Sequence, residues 1–358
     1  MWASLSRMSA MIAKTGYYAN RLRLELALRN REYALGRAHV ESYGSAPTIV
    51  YAPEGERHGN FFDPAYVAIT ARANWMRRFN KVHAQAARSL PKAERRWREL
   101  DSCTSSDALL MNVFCTPGVL ASAALRRAIG VEDDAEPVFG WKARVPLANG
   151  HVDRTEVDLR IGSLLAEAKL TEGDFQTCPR TRVEQYRDLD TVFDRALLPR
   201  IELPPKRRKK PQEFPENYSQ EYESFVIDPA LDLRELLPEI AVPSIPNAHE
   251  AGETGYASYQ LVRNVLAAYA ERCSFCVIHD ERRPDLREQW FEVMAAVKNA
   301  ELRTRLKVLT WQELAAFVPE ALQEFLDCKY GIVAPGRTDS AVNEGDFPGE
   351  PPDLAGLH

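Results

Sequence analysis

The sixteen residues TEVDLRIGSLLAEAKL, Thr155 to Leu170, constrain the fold more tightly than any other part of this chain. Two strand-like runs flank Gly162-Ser163, and a glycine opening a two-residue connection suits a II′ turn between antiparallel strands. Such a turn fixes the register: opposed residues have numbers summing to 325, so Ile161 faces Leu164, Leu159 faces Ala166, Asp158 faces Glu167 and Glu156 faces Lys169. Alternation of side chains then predicts one apolar face of Val157, Leu159, Ile161, Leu164, Ala166 and Ala168. The other face gathers Glu156, Asp158, Arg160, Leu165, Glu167 and Lys169.

The segments around the hairpin place it within an α/β chain. Residues 5–42 and 64–100 carry recurring apolar positions (Leu22, Leu24, Leu26, Leu28; Tyr66, Ile69, Trp75, Phe79, Val82) and are expected to be helical, with APTIVYAPEGERHGNFFDP between them. TSSDALLMNVF, from Thr104, opens with capping hydroxyls and continues as an apolar helix up to Pro117-Gly118. Strands are predicted at 138–147, 155–161 and 164–170. From Tyr256 the chain alternates: helix YASYQLVRNVLAAYAE, strand SFCVIHD, helix DLREQWFEVMAAVKNA, strand RLKVLTW, helix PEALQEFLDCKY. That alternation implies parallel strands covered by helices. Residues 199–246 hold nine of the 23 prolines and the run KRRKK (206–210), so a proline-rich insertion is assigned to 199–254; residues 334–358 lack periodicity and are expected to be a disordered tail. The expected organisation is a helical region over 1–100, a core over 101–333 and that tail.

The formal net charge of -5 speaks against a protein that coats nucleic acid through a large basic excess. It is unevenly distributed. Residues 1–100 hold 17 Lys+Arg against 8 Asp+Glu, and residues 101–358 hold 29 against 43, so a basic segment of net +9 precedes an acidic remainder of net -14. The basic helices could contact phosphate or be an ordinary charged solvent face, and KRRKK could touch phosphate or be a solvated linker. Six cysteines do not form a disulfide framework, and Cys273-x-x-Cys276 reads as part of a buried strand without a second metal-binding pair. There is no secretory leader pattern and no run of about 18 apolar residues. A soluble cytoplasmic protein without membrane contact is expected, and no nucleotide-hydrolysing motif is present.

Two carboxylates directly opposed on a sheet have Cβ atoms about 4.5 to 5.5 Å apart and repel unless something positive lies between them. A hard divalent cation such as Mg²⁺ meets that need, since it takes oxygen ligands from one or two carboxylates and keeps several waters. Lys169, one side-chain repeat beyond Glu167, would lie beside the ion, where it can orient a water or stabilise charge on a phosphate. The same face also reads as a solvated charge lattice, with Glu156 paired to Lys169 and Arg160 offsetting Asp158.

Asp158, eight residues, then Glu167-Ala168-Lys169 on a hairpin resembles the PD-(D/E)XK nuclease superfamily. SSDALLMNVF, IGSLLAEAKLTEGDF and YQLVRN together are similar to a bacterial restriction-endonuclease-like group, over roughly residues 100–330. The resemblance implies an αβββαβ core with a mixed central sheet flanked by helices, plus the helical N-terminal region. It implies Asp158 and Glu167 as Mg²⁺ ligands (Mn²⁺ substituting), the Ala168 carbonyl between them, and Lys169 as the catalytic lysine; Val157 stands where the nominal motif has proline. Asp107 or Asn112 on the first core helix could add a ligand, although Asp107 in a first turn also suits the helix dipole. On the later helix, Tyr259, Val262, Leu266 and Tyr269 form the apolar stripe, and Gln260, Arg263 and Asn264 share a polar one. Gln260 is a candidate site residue there. Glu172 reads as a loop or capping residue. The implied activity is metal-dependent hydrolysis of DNA phosphodiesters in bacterial defence or repair. A nuclease fold that only binds nucleic acid, or that cleaves with a partner, stays open, as does a homodimer.

Overall fold

The computed structural model describes residues 2–42, 48–81, 98–132, 135–203 and 253–336. The KRRKK run, the rest of the proline-rich stretch, residues 82–97 and most of the C-terminal tail lie outside the described residues. The framework is a five-stranded mixed sheet in the order β5-β4-β3-β2-β1. Its strands are β1 (Val138–Lys142), β2 (Glu156–Ile161), β3 (Leu164–Ala168), β4 (Ser274–His279) and β5 (Leu306–Thr310). β1 to β3 pair antiparallel, whereas β3, β4 and β5 run parallel, as the helical crossovers between them require.

The hairpin folds as its turn chemistry dictates. Gly162 takes φ 54°, a left-handed conformation that glycine adopts without strain, and Leu159 pairs with Ala166 and Ile161 with Leu164. β3 is the middle strand, and all five of its residues are buried. On one face Val157, Leu165 and Val277 pack against Val262 and Leu266 of α5 (Tyr259–Glu271) and Trp290 of α6 (Pro284–Ala296). On the other, Leu159, Ala166 and Ile278 pack against Leu110 and Val113 of α4 (Ser106–Phe114) and Leu322 and Leu326 of α7 (Glu320–Tyr330). Fully burying a leucine or valine contributes about 1.5–3 kcal/mol, so β3, packed on both faces, anchors whatever projects from its ends.

The face assignment fails at one place. Val157 was expected beside Leu159, yet the two lie in clusters on opposite faces. β1 and β2 pair on either side of Gly140 and Asp158, where Gly140 sits at φ 65°, and the side-chain alternation slips there. Glu156 consequently turns toward Arg78 and Lys81, and the expected Glu156–Lys169 pair does not form.

Toward the N-terminus, α1 (Trp2–Tyr33) covers α7, with Leu22 and Leu26 in the same cluster as Leu322. The helix expected to run to residue 42 stops at Tyr33; Gly36 takes φ 74°, and His39–Ser42 pairs antiparallel with Thr48–Tyr51. The second expected helix divides into α2 (Asp63–Thr70) and α3 (Ala73–Phe79), because Arg72 is extended and Trp75 turns inward to donate to the Pro137 carbonyl at 3.0 Å. The expected strand 138–147 also divides: β1 ends at Lys142, and Val145–Pro146 pairs with Val152–Asp153 in a separate ribbon. No described helix is long and apolar enough to cross a membrane.

Candidate active site

The carboxyl end of β3 carries the candidate chemistry, as open α/β sheets tend to bind ligands beyond the carboxyl ends of their parallel strands. The β3 backbone continues past its last strand residue: the Lys169 amide donates to the Ile278 carbonyl at 2.8 Å, and the Trp311 indole donates to the Lys169 carbonyl at 3.0 Å. Both flanking side chains are thereby fixed. Glu167 is 2 % exposed and Lys169 6 %. The Lys169 ammonium lies 2.8 Å from Glu167 Oε1, and Asn264 of α5 donates to Glu167 Oε2 at 2.8 Å. Asn264 is itself held by Arg263, which donates to its Oδ1 at 2.5 Å and to the Thr155 and Glu156 carbonyls.

Asp158 projects from β2 into the same place, where its Oδ2 accepts from the Ala168 amide at 2.9 Å. No cation of the described residues forms an ion pair with it. Burial pushes its carboxyl well above the usual range, and the neighbouring Glu167 and Asp107 carboxylates push it further. Burial works to lower Lys169, but Glu167 and Asp158 outweigh it and hold the ammonium firmly protonated.

Asp107 sits in the first turn of α4, behind the Ser105 cap. Its Oδ2 accepts from Arg78 of α3 at 2.6 Å, and the other arm of that guanidinium reaches Glu156 at 3.0 Å. Lys81 adds a third contact to Glu156 at 3.4 Å. Asn112 does not reach the site: it is buried among Asn60, Phe62 and Ala108, accepting from the Phe62 amide at 2.7 Å. Gln260 lies one turn before Asn264 on the same helix, and its buried Oε1 has no partner among the described residues. Among the described residues no side-chain hydrogen bond joins Gln260 to Asp158, Glu167 or Lys169. Glu172 closes the loop after β3, accepting from the Leu170 amide at 2.6 Å and from the Ser106 hydroxyl.

Two carboxylates facing one lysine suit a hard cation better than a soft one. Among the described residues no group of three or more His, Cys, Asp or Glu side chains is placed to hold a metal. A two-carboxylate donor set completed by a backbone carbonyl and water still fits Mg²⁺, and a cation beside Asp158 would offset the repulsion that Glu167 and Asp107 exert on its carboxyl. Sequence reasoning gave no role to Arg78 and did not single out Asn264 from its polar stripe. The i, i+4 relation of Gln260 and Asn264 was the available signal for the latter.

The five-stranded mixed sheet covered by helices on both faces is consistent with a restriction-endonuclease-like α/β protein. The chain belongs to the family described as restriction endonuclease associating with ARP, REase-ARP, which it matches over residues 28–331. No curated protein and no solved structure matches it.

Proposed function

We propose that the chain is a metal-dependent nuclease of the PD-(D/E)XK type that hydrolyses DNA phosphodiester bonds. The observation that carries this reading is Asp158, half-buried without an ion-pair partner among the described residues, set against the Glu167–Lys169 pair. Asp158, Glu167 and the Ala168 carbonyl would hold Mg²⁺ or Mn²⁺. A bound ion of this kind supplies a Lewis acid for the charge that develops on the phosphate and lowers the pKa of a coordinated water. Lys169, protonated and screened from solvent, orients the attacking water and stabilises the scissile phosphate. Asn264 positions Glu167, so that only one of its oxygens remains shared with Lys169. Gln260, with a free buried carbonyl one turn away, is placed to orient a water or a substrate group. Of the basic excess in the first hundred residues, Arg23, Arg29 and Arg78 already bind protein groups, which leaves arginines such as Arg21, Arg31 and Arg77 for phosphate contact.

The family description favours a second element, a partner protein. We infer that ARP, named there, acts with this chain during cleavage. Purified protein is incubated with linear, circular and single-stranded DNA in Mg²⁺, in Mn²⁺ and in EDTA, beside Glu167→Ala and Lys169→Ala. Metal-dependent cleavage lost in both variants supports the assignment, and cleavage surviving both overturns it. Metal binding without cleavage supports the partner-dependent form.

A further inference from the structure

Arg78 is a charged side chain that the reaction outlined above does not use, yet it lies within the acidic centre. It is 7 % exposed and comes from α3, outside the β-hairpin that carries the carboxylates. One arm of the guanidinium grips Asp107 at 2.6 Å and the other Glu156 at 3.0 Å. Its Nε is buried without a partner among the described residues. The pocket that admits it is shaped for it: Gly140 lies opposite Asp158 at φ 65°, and a Cβ there would come within 2.9 Å of the Arg78 terminal nitrogen. The carboxylates of Asp107, Glu156, Asp158 and Glu167 thus share two buried cations, with the more exposed Lys81 as a third at the rim. Lys169 serves Glu167, Arg78 serves the Asp107–Glu156 pair, and Lys81 touches only Glu156 of the four.

We propose that Arg78 stands in for a second divalent cation: it commits Asp107 and Glu156 to itself, so that the centre takes a single metal ion, on Asp158 and Glu167. This rests on the metal site proposed above. A Cβ on Gly140 would meet both Arg78 and, at 3.5 Å, the Glu156 carboxyl carbon, and Gly140 stands across the ladder from Asp158, so the fork lies next to that site. A guanidinium holding two carboxylates in a fork has no acceptor to offer and cannot be deprotonated, so it excludes a metal ion at every working pH. The cation is also supplied by the N-terminal basic region, which makes that region part of the centre rather than only a surface for substrate. Arg78 is a positioning residue here.

Counting bound metal tests the proposal independently of cleavage. Mn²⁺ is titrated into the full chain without DNA by calorimetry, with electron paramagnetic resonance of free Mn²⁺ as a second count. The expected results are one ion in the wild type, one ion in Asp107→Asn with Kd changed by less than about threefold, and two ions in Arg78→Met, returning to one in Arg78→Met/Asp107→Asn. Arg78→Lys keeps a cation and is expected to bind one ion. Arg78→Gln, which also removes the charge, is counted beside Arg78→Met so that one of the two folds, and is likewise expected to bind two ions, a single ion overturning the proposal. The proposal is overturned by two ions in the wild type, by a tenfold or greater loss of affinity in Asp107→Asn, or by a single ion in folded Arg78→Met. Absence of any bound Mn²⁺ in the wild type overturns the metal site itself, and this proposal with it; a wild-type count of two or more overturns this proposal only.

Discussion

Replacing Glu167 alone should harm the metal-free protein more than replacing Glu167 and Lys169 together. Both side chains are buried and 2.8 Å apart, and removing one partner of a buried ion pair strands the other charge at a cost of about 3–5 kcal/mol. Asp158 lies close enough to Lys169 to compensate part of this, so Glu167→Gln is expected to lose about 2–4 kcal/mol. An unfolding entropy of roughly 2.1 cal/mol/K per residue over the 263 described residues gives ~0.55 kcal/mol per degree, hence a fall in Tm of about 4–7 °C. Glu167→Gln/Lys169→Met removes both charges and should recover to within about 1–2 °C of wild type. Calorimetric melts in EDTA measure all three variants, including Lys169→Met alone. Adding Mn²⁺ at about a hundred times its Kd should stabilise the wild type by ~2.7 kcal/mol, about 5 °C, and leave Glu167→Gln unmoved. A double variant whose loss equals the sum of the two single losses would refute the buried pair. An equal Mn²⁺ gain in Glu167→Gln would refute the two-carboxylate site.

Lys329 is fully buried, with its ammonium 3.9 Å from the Tyr330 ring centroid, and burial lowers it from 10.5 to about 7. Between those values the unfolded chain binds a proton that the folded chain does not, so stability rises with pH from about 7 to 10.5, by ~3 kcal/mol after cation–π attraction is allowed for. Lys329→Met should abolish that rise and be the more stable protein at pH 7, as denaturant melts across pH would show; equal slopes in both proteins would contradict it. Asn264→Leu removes a donor to a buried carboxylate and should cost about 1.5–3 kcal/mol and some 10–100-fold in cleavage, and unchanged melts together with unchanged rates would speak against its role in holding Glu167. Gly140→Ala combines a left-handed φ with a Cβ 2.9 Å from Arg78, so a loss of about 1–2 kcal/mol or more is expected, and an unaltered Tm would show that Arg78 can move aside.

The sequence by itself determined what is local. A two-residue turn and the two-residue period of a strand are set by neighbouring atoms, so Gly162-Ser163 fixed the register up to Leu159 with Ala166, where the ladder ends; the expected Asp158–Glu167 pair lies beyond it, and Asp158 instead meets the Ala168 amide. The alternation of apolar segments likewise set the parallel strands β3, β4 and β5, because each helix between them needs a sheet to cover. Tertiary structure decided who completes the centre. Asn264 lies 97 residues from Glu167 and Arg78 lies 29 from Asp107, and each meets its partner only because α5 and α3 pack where they do. Many arginines and polar helix positions in this chain look alike along the sequence. Packing also moved Glu156 away from Lys169: the slip at Asp158 opposite Gly140 turns it toward Arg78. A face pattern written for an ideal strand cannot show that slip, since it follows from the fit of β1 and α3 against β2.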